Sequence, residues 1–242
     1  MLRSSTRALA ASASRRAYSK LMLYSAPGTP SPDTVHMYLE EAQATDMVTV
    51  EKVQIGKAQN RGADFVRLNP MGEVPALALG DGTTVLTESL VICRYLEDFR
   101  TGGAGSPLYG TSPIQRAETD MWYARAESKF LTPLMWAVRC GPLAKFFKDR
   151  TPGYIHPEVA EPMGVAAQAG LGWLEAQLAD GRPFLCGERF TIADIRLYVN
   201  YAFLTKTHKP MAAQPAEHAA FLKWFTRVAA RPSAAAIAKP KK

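Results

Sequence analysis

Three short segments in the first ninety positions carry the residues best suited to chemistry. The stretch LYSAPGTPSPDTVHMYLEE, from Leu23 to Glu41, places three hydroxyls, on Tyr24, Ser25 and Thr29, in or beside a loop rich in proline and glycine that runs into a helical pattern. A hydroxyl donor near a helix N-terminus is what stabilises a thiolate or another small anion. Each of the three also fits as a turn former or core residue. In NPMGEVPAL, Asn69 to Leu77, Pro75 stands just before an apolar run. Proline is the one residue for which a cis peptide bond is accessible. A cis turn there leaves the N–H and C=O of Val74 free to pair with an extended peptide, as an added strand does; an ordinary strand-entry proline fits the same residues. LTESLVICRYL places Thr87, Glu88 and Ser89 at a helix start, where free N–H groups and the macrodipole favour a carboxylate and Glu88 can hold an ammonium. The alternative is that Thr87 is only an N-cap, with an acid in the first turn.

Other chemistries find little support. Cys93, Cys140 and Cys186 are far apart and form no CxxC pair, and the four histidines, His36, His156, His208 and His218, show no ligand spacing, so neither a disulfide framework nor a metal centre is expected. The histidines read as surface or capping residues, and Cys93 as a small buried hydrophobe. No run approaches the roughly 18 apolar residues of a membrane-spanning helix. The formal net charge of +7 invites a nucleic-acid reading, but without aromatic interleaving it does not define such a surface.

More than half of that charge lies in residues 1–20, MLRSSTRALAASASRRAYSK, which hold Arg3, Arg7, Arg15 and Arg16 and many Ser and Ala; no acid precedes Asp33. That is the composition of a mitochondrial transit peptide. The Arg16-Ala17-Tyr18-Ser19 stretch predicts cleavage after residue 18 and residence in the matrix. The alternative is a disordered basic arm. The final KPKK reads as a solvated tail.

The elements that must position the candidate residues follow from periodicity. Between Leu21 and Phe99, short apolar runs alternate with helical stretches, which implies an α/β layer with a β-α-β start. Thr101 to Pro107, TGGAGSP, denies itself regular structure and marks a linker, set at 100–112. From 113 to 242 the patterns are helical, with Ile114, Ala117, Met121 and Ala124 at helical spacing, then Ile192, Ile195, Val199 and Ala202, then Phe221, Phe225 and Val228. In GERFTIADIRLYV, Thr191 can cap a helix and Asp194 can answer it, with Phe190 and Ile195 placed as the halves of a hydrophobic staple.

FLCGERFTIADI and the near-terminal FLKWFTRVAARPSAAAI resemble the core-helix cap and the closing helix of the glutathione transferase superfamily, and NPMGEVPAL with LTESLVICRYL resembles that family's glutathione-binding half. The resemblance is to the serine/threonine-type members, similar to theta, zeta and nu. It implies a thioredoxin-like domain over 19–99 and an all-α domain over 113–242. It further implies a cis bond at Pro75, the Val74 backbone on the cysteinyl unit of glutathione, Glu88 and Ser89 on its γ-glutamyl end, and Asn60 (or Gln59) near its glycyl carboxylate. Thr29 falls where serine-type members carry the thiol-activating serine, with Ser25 the second choice and Tyr24 the third. With no cysteine at that position, a glutaredoxin-like thiol transferase is not expected. Trp122, Tyr123, Arg125 and Arg139 are candidates for the dimer seam or the electrophile site.

Two features depart from the family pattern. Asp33 stands where many members carry arginine, and Glu73 replaces a basic residue before Val-Pro; both place negative charge where a thiolate would form. The expected activity is conjugation of glutathione to, or reduction of, a small hydrophobic electrophile by a homodimer, with glutathione as co-substrate and no metal. The alternative is a non-catalytic subunit or interaction module of a mitochondrial complex.

Overall fold

In the computed structural model, which describes residues 21–147, 156–207 and 212–238, the chain divides into two compact units, with boundaries after Arg100 and after Ala234, the residues from Ala235 returning to the first unit. The transit-peptide segment, the KPKK tail and His208 lie outside the described residues.

The first unit runs β1 (Met22–Ser25), α1 (Pro30–Glu41), β2 (Thr49–Lys52), α2 (Ala63–Leu68), β3 (Ala76–Ala78), β4 (Val85–Thr87) and α3 (Ser89–Thr101). The sheet order is β2-β1-β3-β4, with β1 parallel to β2 and antiparallel to β3, and β3 antiparallel to β4. A β-α-β start followed by β-β-α is the thioredoxin-like arrangement.

Alternation along β1 separates the two faces. Leu23 and Ser25 are fully buried on the side of α1, where the Ser25 hydroxyl lies 2.8 Å from Nε2 of His36. Tyr24 points to the opposite side and meets Phe65 of α2 edge to face, with ring centroids 6.1 Å apart. On the α1 side, Tyr38 donates its hydroxyl to Glu97 of α3 at 2.9 Å, and Arg100 donates to the same oxygen at 3.0 Å. Burial, reinforced by Glu97, drives the Tyr38 phenol well above its ordinary pKa, so Tyr38 stays a neutral donor. This joint fixes α3 against α1, and with it the end of α3 that carries Ser89.

The second unit is helical: α4 (Pro113–Ala126), α5 (Thr132–Cys140), α6 (Ala144–Phe147), α7 (Ala160–Leu178), α8 (Ile192–Thr207), α9 (Ala219–Ala229) and the start of α10 (Pro232–Ala238), whose residues from Ala235 group with the first unit, with a π-helical turn at Glu127–Leu131 between α4 and α5. A Cβ on Gly170 of α7 would lie 2.0 Å from the Lys129 carbonyl, so only glycine allows α7 this close to the π turn.

The capping segment behaves as a core device. Asp194 is fully buried and accepts from four donors: Leu185 N–H at 2.9 Å and Trp224 Nε1 at 2.8 Å on one oxygen, Thr191 N–H at 3.0 Å and the Thr191 hydroxyl at 3.1 Å on the other. Half of the expected capping box is therefore made, from acid to cap N–H, while the threonine hydroxyl turns to the acid instead of the helix. Phe190 and Ile195 are both buried. Cys186 packs beside Thr191, its Sγ 3.7 Å from the hydroxyl, and burial raises its thiol pKa.

One expectation is corrected here, that of His36, and the exposure of one helical stripe, which spacing left open, is decided. The stripe Ile114, Ala117, Met121, Ala124 belongs to a helix, but it is the outward face, with Ile114 67% exposed; Thr119, Trp122 and Ala126 are the buried side. His36 is neither a surface nor a capping residue but is buried against Ser25, whereas His218, though buried, does stand at a capping position, the N-cap of α9, with its Nδ1 accepting the Gln214 N–H at 3.1 Å.

Candidate functional site

Two loops of the first unit build one small cavity beside Pro75. The peptide bond Val74–Pro75 is cis, and it turns the chain into β3 so that Val74 lies against the start of α3. Two buried asparagines hold the approach to that turn. Asn60 donates to the Gly72 carbonyl at 2.6 Å; Asn69 donates to the Glu73 carbonyl at 2.7 Å and accepts the Met71 N–H at 3.1 Å. The backbone is thus fixed on both sides of Val74, whereas the N–H and C=O of Val74 make no hydrogen bond to another described residue.

The other wall is the junction of β4 and α3. Glu88 has φ +62, a left-handed conformation uncommon outside glycine, and its carbonyl accepts the first helical bond, from Ile92 N–H at 2.9 Å. Glu88, not Thr87, is therefore the capping position; Thr87 is the last residue of β4. The sharp turn aims the Glu88 side chain outward and starts α3 at Ser89, whose side chain is buried in the cavity wall. Neither the Ser89 hydroxyl nor the Glu88 carboxylate has a hydrogen-bond partner among the described residues.

Ser31, in the first turn of α1, also lines this cavity. The sequence reading passed over it, as it did Asn69; the Asn-Pro pair at 69–70 was the available signal for a built turn. The enclosed part measures about 30 Å³, roughly one water molecule's share of liquid, and it opens to solvent. Glu73 and Glu88 stand on its lining, with no Lys or Arg there. A helix N-terminus with an unengaged serine hydroxyl, flanked by carboxylates, suits the two charges of an amino-acid end group: carboxylate on the helix start, ammonium on the acids.

The three hydroxyls of the first loop separate. Thr29 is the N-cap residue of α1, partly buried, and its hydroxyl donates to the Ala26 carbonyl at 2.7 Å. It does not line the cavity, and its single proton is engaged within the loop. Ser25 faces the interior and its hydroxyl is paired with His36, so it is withdrawn from any ligand. Tyr24 faces the α2 side of the sheet, away from the loop. Asn60, expected at a glycyl carboxylate, instead spends an amide N–H on Gly72 and is 6% exposed. Asp33 uses one oxygen to accept the Gly28 N–H at 2.9 Å, so the acid that looked hostile to a thiolate helps to hold the loop.

In the second unit Trp122 is buried, with the guanidinium groups of Arg125 and Arg182 at 5.5 and 5.3 Å from its ring. Arg139 covers the Phe147 ring at 5.0 Å.

A thioredoxin-like unit with a cis proline facing a helix N-terminus, followed by a helical unit, is the two-domain arrangement that the sequence resemblance implied. The comparisons narrow it. Residues 30–98 match the model of the glutathione S-transferase N-terminal domain and residues 157–227 that of the C-terminal domain. Glutathione S-transferase GstA of Escherichia coli O157:H7 is 32% identical over 218 residues, 88% of this chain and 94% of that one; glutathione S-transferase 2 of Saccharomyces cerevisiae is 27% identical over 223 residues, 88% of each. Among solved structures, a glutathione S-transferase domain-containing protein of Marinobacter aquaeolei VT8 superposes with a TM-score of 0.74 at 32% identity, covering 88% of this chain and 98% of that one. The chain belongs to the glutathione S-transferase family.

Proposed function

We propose that this chain is a glutathione transferase that holds glutathione along the cis-proline turn and activates its thiol for attack on a small hydrophobic electrophile, or for reduction of a hydroperoxide. One observation carries the reading. The unpaired Val74 backbone, the Ser89 hydroxyl and the Glu88 carboxylate converge at the start of α3, which matches a peptide backbone ending in an amino-acid head. In this arrangement Val74 pairs with the cysteinyl unit, Ser89 and the helix N–H groups take the γ-glutamyl carboxylate, and Glu88 takes its ammonium.

Thr29 is the proposed activating hydroxyl, at the N-terminus of α1. Donation to sulfur requires its hydrogen to leave the Ala26 carbonyl, a local rotation. The thiolate then attacks the electrophilic carbon, the leaving group departs with the bonding pair, and the thiol proton passes to solvent. The outward stripe with Ile114 and Met121 supports a homodimer. The arginine-rich, acid-free start supports a matrix protein beginning at Ser19; recovery of intact Met1 from purified mitochondria would overturn that.

The binding half is tested by titration calorimetry. Ser89→Ala is expected to weaken glutathione binding by roughly 1–3 kcal/mol, as for losing a hydrogen bond to a charged group, with the fold intact. Unchanged affinity in the folded variant refutes the site. Binding without turnover on a broad panel of electrophiles and hydroperoxides would favour the interaction-module reading.

A further inference from the structure

The sheet face opposite α1 carries a second cavity, of about 510 Å³, within the roughly 300–1,000 Å³ range of small-molecule sites. No residue lines both it and the cavity beside Pro75. Met22 and Tyr24 of β1 with Phe65 and Leu68 of α2 form its apolar lining. Its polar side is Glu51 of β2, the parallel register partner of Tyr24, so carboxylate and ring rise from the same face of the sheet. Asp64 also lines it but is ion-paired with Arg67 on the exposed side of α2. Among the described residues, its lining includes no Lys or Arg. Neither the Tyr24 hydroxyl nor the Glu51 carboxylate has a hydrogen-bond partner among the described residues.

We propose that this cavity binds a hydrophobic cation of small-molecule size: an aromatic body against Tyr24, Phe65 and Leu68, with its positive centre held by Glu51. The charge decides the class. An anion would meet Glu51 with no cation to offset it, whereas a cation gains both the carboxylate and the two electron-rich rings. Gln59, the second choice for the glycyl carboxylate, also lines this cavity, but its amide oxygen accepts the Gln54 N–H at 2.7 Å; the Val74, Glu88 and Ser89 anchors proposed for glutathione lie outside it, so either site can fail without the other.

The test is a fluorescence titration of the full chain with thioflavin T, a flat aromatic cation, at low ionic strength. Saturable binding is expected, unchanged by saturating glutathione and not competed by the anionic dye anilinonaphthalene sulfonate. Glu51→Gln should weaken it about fivefold or more, and Leu68→Lys, which sets a cation in the cavity, should weaken it further; circular dichroism confirms folding of both. No saturable binding, equal affinity in folded Glu51→Gln, or displacement by glutathione overturns the proposal. Binding only by the chain starting at Ser19, and not by the full chain, overturns it too, since the occupant would then be the chain's own basic N-terminal segment.

Discussion

Replacing Asp194 by alanine strips three buried N–H groups of their acceptor at once: Leu185 N–H, Thr191 N–H and Trp224 Nε1–H. Each orphaned donor costs about 1–3 kcal/mol. Part of that sum is returned, because the carboxylate is fully buried and its own desolvation is relieved. Removing one member of a buried charged network typically costs about 3–5 kcal/mol, and about 4 kcal/mol is the expected loss here. Against a native stability of about 5–15 kcal/mol, that is a large fraction. Asp194→Asn should be milder, about 2 kcal/mol, because its carbonyl can keep Leu185 and Trp224 while its amide faces the Thr191 N–H donor to donor. Urea unfolding followed by tryptophan fluorescence and far-ultraviolet circular dichroism measures both. A loss below about 1 kcal/mol for Asp194→Ala, or equal losses for the two variants, would refute the account of Asp194 as the acceptor that ties α8 to Trp224.

Further outcomes follow from the first unit. Thr29→Ala should raise the pKa of bound glutathione thiol and lower kcat near neutral pH by less than about a hundredfold, the α1 N-terminus remaining as a second source of stabilisation; Thr29→Ser should keep most activity, and a Thr29→Ala enzyme equal to the native one removes Thr29 from the chemistry. Asn69→Ala should raise KM for glutathione and destabilise the fold by about 1–3 kcal/mol, because the Glu73 carbonyl and Met71 N–H lose their partner; a native KM would show that the turn holds itself. The Tyr38 phenol, raised by burial and by Glu97, should stay protonated while exposed tyrosines ionise. Its folded pKa exceeds its unfolded value, so its contribution to stability is full below about pH 10 and is lost as pH rises beyond that. Loss of alkaline sensitivity in Tyr38→Phe, read by pH-dependent unfolding, checks the sign.

Much of the architecture was legible because it rests on local rules. Strand and helix alternation in the first hundred residues, the glycine-rich break after Thr101 and the Thr191–Asp194 cap are statements about neighbours in sequence, and the structure forms β1 to α3, then helices, with Asp194 on the Thr191 N–H. Proline at 75 with a helix start at 88–89 named the two walls of the candidate site, which the fold sets into one cavity.

What the sequence left open was direction. Tyr24, Ser25 and Thr29 were ranked by resemblance alone until the pleat of β1 sent Tyr24 to the α2 side and Ser25 into the core against His36, eleven positions away. His36 itself looked like a surface residue, because no local pattern announces a hydrogen bond made across a sheet face. The α4 stripe had the helical spacing read from the sequence, but its exposure was left open, since periodicity fixes which residues share a face and only the neighbouring helices decide which face is covered. Asp33 looked like an unfavourable charge until the loop folded back and gave it the Gly28 N–H. Composition and spacing specify elements and their caps through interactions within a few residues; burial and the partner of each polar group depend on chain segments that meet only when the whole unit packs.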